Sequence, residues 1–540
     1  MPAEHKTSCC PRRAGAEAPA QAQGPDTSRA RRRRSLPLQE GHESAMPRLL
    51  STGTLALAVV STAVLLLAGC ASPGPQASAQ PRATAAQAGL QETARTTPVD
   101  AQWWHQYGDA QLDDLVAKAL AGAPSLAAAE ARVAKARAAA DATRGSQAPQ
   151  VAADASVQRQ RLTESGLYPP PYAGSVFNMA NAQLDFSWDV DLFHRQEHDL
   201  AAALGAQRAA RADADVAAQQ LATQVVRTYL GLARLDSQKA VAQRTLAQRE
   251  ELLRLVRQRV DAGLDTVVEL RNGEGALPDT RAQIEALDEQ AVLARHQLAA
   301  LSAQPPQALD EIAPTLAQLG VATRPPVLGA DLLARRPEIA AALARVEAAG
   351  EQVAAQKTRF YPDINLAGFF GLNAIGLGNF AEWGSRNWGF GPALHLPVFE
   401  GGTLRAQLKG KAADRDAAVD AYNQAVIDAV HEAADAASSA SSVARQRQQQ
   451  REALASARSA YDAAQQRYAQ GLGNQLIVLN AETQWLAQQR LDVDLQYRTL
   501  DVQAQLMKSL GGGWTPAADS AAIPDAPQPP AARAATSPAA

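Results

Sequence analysis

Residues Ala182–Phe193 read AQLDFSWDVDLF, and this stretch decides the fold. Ala182, Leu184, Phe186, Trp188, Val190 and Leu192 alternate with Gln183, Asp185, Ser187, Asp189 and Asp191. The period is two, so the segment is a strand with one apolar face and one acidic face. A strand that sets Phe and Trp against Asp suits a membrane barrel, where one face meets lipid and the other a watery lumen. From His194 the periodicity turns helical, and no proline follows until Pro278. The strand therefore runs into one long helix of about 65 residues, on the order of 100 Å. Its stripes Leu221, Val225, Tyr229, Leu232 and Leu246, Leu253, Val256, Val260 have coiled-coil spacing.

The same unit recurs. Pro124-Ser125-Leu126 aligns with Pro337-Glu338-Ile339 at an offset of 213, as do Ala131-Arg132-Val133 with Ala344-Arg345-Val346 and Pro149 with Pro362. Later the offset is 208: Arg259, Gly263, Leu264, Asn272 and Glu274 match Arg467, Gly471, Leu472, Asn480 and Glu482. An internal duplication follows. Val151, Ala153, Ala155 and Val157 form a second alternating strand, which the Ala182 strand joins in a hairpin. Ile364, Leu366, Gly368, Phe370, Leu372 and then Trp388, Phe390, Pro392, Leu394, Leu396, Val398 form two more. Pro392 and Pro397 predict weak or bulged pairing in the last. Asp109 and Ser125 are predicted helix caps before Leu112 and Leu126. Asp261-Ala262-Gly263-Leu264 reverses the first long helix, and Gly273, Gly275 and Pro278 predict an imperfect start or kink in the return helix.

Composition narrows the function. The 540 residues are rich in alanine and only 5% aromatic, which suits closely packed long helices rather than one thick core. A net charge of −3 gives no reason to expect nucleic acid. Three cysteines, Cys9, Cys10 and Cys70, make no disulfide framework. No Gly-x-Ser-x-Gly, His-Glu-x-x-His or phosphate loop is present, so nothing marks an enzyme or a cofactor. His194 and His198 have i,i+4 spacing but no further Cys or His nearby, and no metal is assigned.

Targeting sets the compartment. Arg48 and the apolar run Leu55–Leu67 lead to Leu67-Ala68-Gly69-Cys70, the form of a bacterial lipoprotein cleavage site. Cys70 is then the lipidated residue, carrying acyl chains such as palmitate, and Ala71 behind it favours the outer membrane. Residues 1–45 read as a spurious or disordered leader, 46–69 as the signal peptide, and 70–100 as a lipidated tether. The first structural repeat spans 101–320, the second 321–514, and 515–540 is an Ala/Pro-rich tail.

Four strands of about 10 residues each cross a bilayer but cannot close a barrel, because an open edge in lipid leaves backbone groups unpaired. They must close with other copies. Two copies give about 8 strands, barely wider than their own side chains; three give about 12 and a usable pore.

Trp103-Trp104 with Leu112-Asp113-Asp114-Leu115, Arg335-Arg336-Pro337-Glu338-Ile339, Tyr361-Pro362-Asp363-Ile364, Pro397-Val398-Phe399-Glu400-Gly401-Gly402 and Arg467-Tyr468 with Gly471-Leu472 together resemble the TolC/OprM outer-membrane efflux family, and most of all its NodT-type lipoprotein branch. The resemblance covers Trp103 to Trp514. It implies a mainly α fold with a membrane β-barrel portion. In this fold a homotrimer shares a 12-stranded barrel, continued by a 12-helix periplasmic tunnel that docks on an adaptor protein and an inner-membrane pump of the resistance–nodulation–division type. It implies a passive exit duct with no catalytic residues. By the same resemblance, Gly263, Leu264, Gly471 and Leu472 are adaptor-docking tips. Asp462 with Arg458, and Arg254 at the repeat-equivalent position, form a periplasmic gate. Asp154, Asp185, Asp189 and Asp191 line the lumen, and Trp188 and Trp388 are the membrane pair among the tryptophans. His194 stands where the family has Gly, so the strand-to-helix corner is expected to differ. The alternative is a coiled-coil envelope lipoprotein with a structural role only; it explains the helices and Cys70 but not four two-faced strands.

Overall fold

The computed structural model describes residues 73, 79–90, 95–96, 98–167, 169–320 and 329–516. The expected signal segment and Cys70 lie outside the described residues. Each half of the chain runs helix, β-hairpin, long helix, return helix. In the first half these are α2 (Pro124–Ser146), preceded by α1 (Ala110–Gly122), then β1 (Gln150–Arg161), β2 (Val176–Val190), α3 (Arg195–Asp261) and α4 (Val267–Leu301). In the second they are α5 (Pro337–Thr358), β3 (Asp363–Ile375), β4 (Arg386–His395), α6 (Thr403–Ala469) and α7 (Gln475–Ser509). Helices α3 and α6 are 67 residues each, and α4 and α7 are 35 each. The bounds of both pairs correspond at the offset of 208, end to end. The change from 213 to 208 falls in the hairpins, whose tips span 162–175 in the first half and 376–385 in the second.

The four strands form one antiparallel sheet in the order β1-β2-β3-β4. Residues opposite one another across an antiparallel pair share a face. The register sets Ala153 against Leu184, Leu184 against Phe370 and Phe370 against Trp388. It likewise sets Val151, Phe186, Gly368 and Phe390 in line. All four alternating apolar rows of the sequence thus meet on one side. The register runs unbroken through Pro392 opposite Leu366, and Pro397 lies past the end of β4. The expected bulge is absent: the pairing of β3 with β4 passes Pro392 without a shift in register.

At the strand-to-helix corner, Asp191 Oδ2 accepts from the amides of Gln196 at 2.9 Å and Glu197 at 3.2 Å, supplying two of the orphan donors of the α3 N-terminus. His194 takes the left-handed conformation, φ 60°, where the second repeat has Gly402 at φ 89°. The corner is therefore kept despite the missing glycine, at the cost of a left-handed side-chain-bearing residue. His194→Gly should raise stability by about 1 kcal/mol, read as a higher melting temperature of the purified protein. No change would mean that the bond from His194 Nδ1 to Glu197 Oε2, 2.7 Å, already offsets the strain.

Two corrections concern the helices. Ala123, not Ser125, is the N-cap of α2, with Pro124 in the first turn, where a missing N–H costs nothing. The return helix α4 is continuous through Gly273, Gly275 and Pro278. It starts on a capping box, with Thr266 as N-cap and Glu269 reaching back to its amide. Arg249 of α3 then straps the proline turn, donating to the Ala276 carbonyl at 2.9 Å and to Thr280 Oγ1 at 2.6 Å. A Cβ on Gly273 would lie 3.0 Å from Leu253 Cδ1, so this glycine admits the coiled-coil leucine of α3.

The largest core sits where the chain ends of both halves meet. Trp103, Trp104 and Tyr107 pack with Leu112, Leu115 and Val116 of α1 against Val225, Tyr229 and Leu232 of α3 and Leu298 of α4. Tyr107 donates to the Leu500 carbonyl at 3.0 Å and Tyr229 to Asp109 at 2.6 Å, while Asp109 caps α1. Trp103 and Trp104 are thus packing residues. A second cluster joins Ile339 and Val346 of α5 to Val419, Tyr422 and Val426 of α6. Small residues let backbones close: a Cβ on Gly205 of α3 would lie 2.9 Å from Ala348 Cβ on α5.

Candidate functional site

The polar side of the sheet carries Asp154, Asp185 and Asp189, as the alternation requires. Asp154 lies opposite Gln183, and Asp189 opposite Asn365. Gln183 donates to Asp185 at 3.0 Å, and Asn365 Nδ2 donates to Ser187 Oγ at 2.9 Å and also to Asp189. Arg195 at the head of α3 reaches Asp363 at 3.2 Å. Asp191 departs from the expectation: β2 ends at Val190, and its carboxylate is spent on the helix start. The opposite side is apolar and bare, with Phe370 59%, Trp388 73% and Phe390 71% exposed. Trp188 shares that face with Trp388. β1 and β4 each leave one edge without a strand beside it among the described residues. A bare apolar face and two open edges are not a stable surface in water.

Along α6, Arg458 Nε bonds Asp462 at 3.0 Å, one helical turn apart. Arg254 is not brought to them. It chelates Glu251 on its own helix, with Nε to Oε2 at 2.9 Å, and Glu251 also accepts from Gln475 of α7 at 2.7 Å. Arg254, then Gln475, hold the Glu251 carboxyl below the usual carboxylate range. The sequence passed over what surrounds Arg458. Its guanidinium lies 4.4 Å from the Trp485 ring centre, Tyr461 stacks on Trp485 at 5.2 Å, and Arg447 and Arg451 continue the same stripe. The 4-and-7 spacing of Arg447, Arg451 and Arg458 was the available signal.

The reversals α3–α4 and α6–α7 are built alike. Gly263 and Gly471 have φ 71° and 73°, and the amides of Leu264 and Leu472 each return to the carbonyl of Arg259 or Arg467 at 2.8 Å. This is the glycine helix stop. It leaves Leu264 and Leu472 exposed by 66% and 65%, beside bare Val267, Val268 and Ile477.

A sheet with one apolar face and two open edges, feeding two helical hairpins of about 100 Å, defines a subunit of a membrane channel with a long helical extension. The chain belongs to the outer membrane efflux protein family, whose model matches residues 115–304 and 328–512, one stretch per structural repeat. It is 38% identical to the fusaric acid resistance protein FusA of Burkholderia cepacia over 367 residues, 66% of this chain and 69% of that protein. It is 31% identical to the multidrug resistance outer membrane protein MdtP of Shigella flexneri over 426 residues, 77% of this chain and 86% of that one. The outer membrane protein VceC of Vibrio cholerae matches with a TM-score of 0.71 and 30% identity, over 77% of this chain and 100% of that one. The chain has the TolC-like fold. It is an efflux channel of the bacterial outer membrane reaching into the periplasm, and not an enzyme.

Proposed function

We propose that three copies of this chain close their sheets edge to edge into a 12-stranded barrel, continued by a tunnel of twelve helices. The observation that carries this is the pair of open edges, one on β1 and one on β4 among the described residues, flanking a face of exposed Phe and Trp. In lipid, strand edges without partners are prohibitive, and one more copy gives too narrow a pore. Asp154, Asp185 and Asp189 then wet the lumen. The tunnel receives small organic molecules from an adaptor and an inner-membrane pump of the resistance–nodulation–division type, which supplies the energy. Lipidation at Cys70 adds an anchor in the outer membrane. The test is the native mass of the detergent-extracted protein with bound detergent subtracted. A mass near three chains is expected; a stable monomer would overturn the shared barrel and favour the structural coiled-coil lipoprotein.

Asp462 and Arg458 form the constriction of that duct, repeated three-fold at its periplasmic end. Arg254, bonded to Glu251 in its own chain, contributes from the repeat-equivalent position of α3. Asp462→Ala should raise single-channel conductance in planar bilayers several-fold, since it removes the carboxylate ring that narrows and focuses the pore. An unchanged conductance would remove Asp462 from the gate.

A further inference from the structure

The face of α6 that carries Arg458 forms, with α7, a groove of about 500 Å³. Arg447, Arg451, Arg458, Trp485, Asp492 and Gln496 line it. Three guanidiniums face one carboxylate there. Arg458 is engaged by Asp462, but neither Arg447 nor Arg451 is ion-paired to a carboxylate among the described residues. Arg447 Nε is buried with no hydrogen-bond partner, and on the facing helix Gln489 Oε1 is in the same condition. Burial, and then Arg451, push the Arg447 pKa down, and the opposing pull of Asp492 does not make this good.

The duplication supplies an internal control. At the offset of 208, Arg447, Arg451, Arg458, Trp485 and Gln496 correspond to Lys239, Gln243, Glu250, Leu277 and Asp288. In the first repeat the charges close on themselves: Lys239 pairs with Asp288, and Glu250 with Arg281 at 2.9 Å. In the second repeat Glu250 has become Arg458, Asp288 has become Gln496 and Arg281 has become Gln489. Two acids, Glu250 and Asp288, give way to one, Asp492, which stands where the first repeat has Ile284, while the basic residues rise from two to three, and an aromatic plate is added where the first repeat has leucine.

We propose that this groove binds a small organic anion with a flat ring. The carboxylate, or an anionic group like it, takes the open donors of Arg447 and Arg451, which suit planar anions. The ring lies along the side of Trp485 turned away from Tyr461 and Arg458, which stand together on the other side, 5.7 Å apart. Because Arg458 also holds Asp462, the groove adjoins the constriction, and three copies give the duct wall a foothold for anionic cargo. This role deepens the exit-duct reading and rests on it. Binding itself needs no flux, so failure of the site and failure of the duct are read separately.

The experiment is ¹⁹F NMR titration of the full chain in detergent with 4-fluorobenzoate, and with neutral 4-fluorobenzamide as control. Saturable binding of the benzoate is expected, at least tenfold tighter than the amide. Arg447→Gln with Arg451→Gln should weaken it at least tenfold. Gln496→Asp, which restores the carboxylate of the first repeat and so folds as that repeat does, should weaken it comparably. Trp485→Leu should cost several-fold. Absence of binding by the native protein, which is the result expected if a neighbouring copy's carboxylates already fill the groove, would overturn the proposal. So would equal binding of benzoate and benzamide, or native-like binding by both charge variants.

Discussion

Arg336→Met is expected to destabilise the protein by about 3–5 kcal/mol, the cost of removing one partner from a buried charged network. Arg336 is 3% exposed and sits at the head of α5. Its Nη1 donates to the carbonyls of Ala429 at 3.0 Å and Ser509 at 3.2 Å, the latter a C-terminal carbonyl of α7 with no helical partner. Its Nε donates to Glu338 at 2.6 Å, and Nη2 pairs with Glu432, which Lys508 also engages at 2.8 Å. One side chain therefore ties α5, α6 and α7 together. Methionine fills the volume but leaves an acceptor and a half-buried carboxylate uncompensated. Arg336→Lys should recover only part of the loss, because an ammonium lacks the fork that reaches four acceptors. Thermal denaturation of the purified protein is the measurement, and a loss under 1 kcal/mol would show that the network is no better than a surface pair. Burial pushes the Glu432 pKa up, but Lys508 and Arg336 outweigh it and hold it below its ordinary 4.5. Its folded value is depressed, so its contribution is present above about pH 4.5 and is lost as pH falls through the folded value.

Leu264→Glu together with Leu472→Glu should abolish co-purification of the proposed periplasmic adaptor. Both leucines are about two-thirds exposed in the free chain, so the change costs the fold little. The glycines that set the turns, Gly263 and Gly471, are left in place, which keeps the backbone out of the comparison. The loss expected is that of burying charge in an apolar contact repeated at six tips of the proposed trimer. Retained co-purification would move the docking site off these tips. A native mass unchanged while the adaptor is lost would be the outcome that supports it.

The periodicities of the chain settled the elements. Alternation at Ala182–Val190 and its three counterparts is a local signal, and it placed all four apolar rows on one sheet face before any contact was known. Proline-free runs with coiled-coil spacing gave both long helices to within a few residues, and Gly263 and Gly471 gave their stops. The duplication gave the pairing of halves. These features depend on neighbours in sequence, so composition and spacing carry them. What a side chain touches across helices does not follow from spacing. Asp191 continues the strand's alternation yet caps α3, because the backbone turns one residue before it. Arg254 sits at the repeat-equivalent place of Asp462 yet closes on Glu251, three residues away on its own helix. Pro278 signals a break, but a capping box upstream and Arg249 on the facing helix hold the turn together. Arg336 reads as one basic residue of a doublet, and only the meeting of α5, α6 and α7 makes it the bond between them. The unbalanced arginines beside Trp485 belong to the same class. Their charge is visible in the sequence, but whether carboxylates answer it is decided by which faces of α6 and α7 come together.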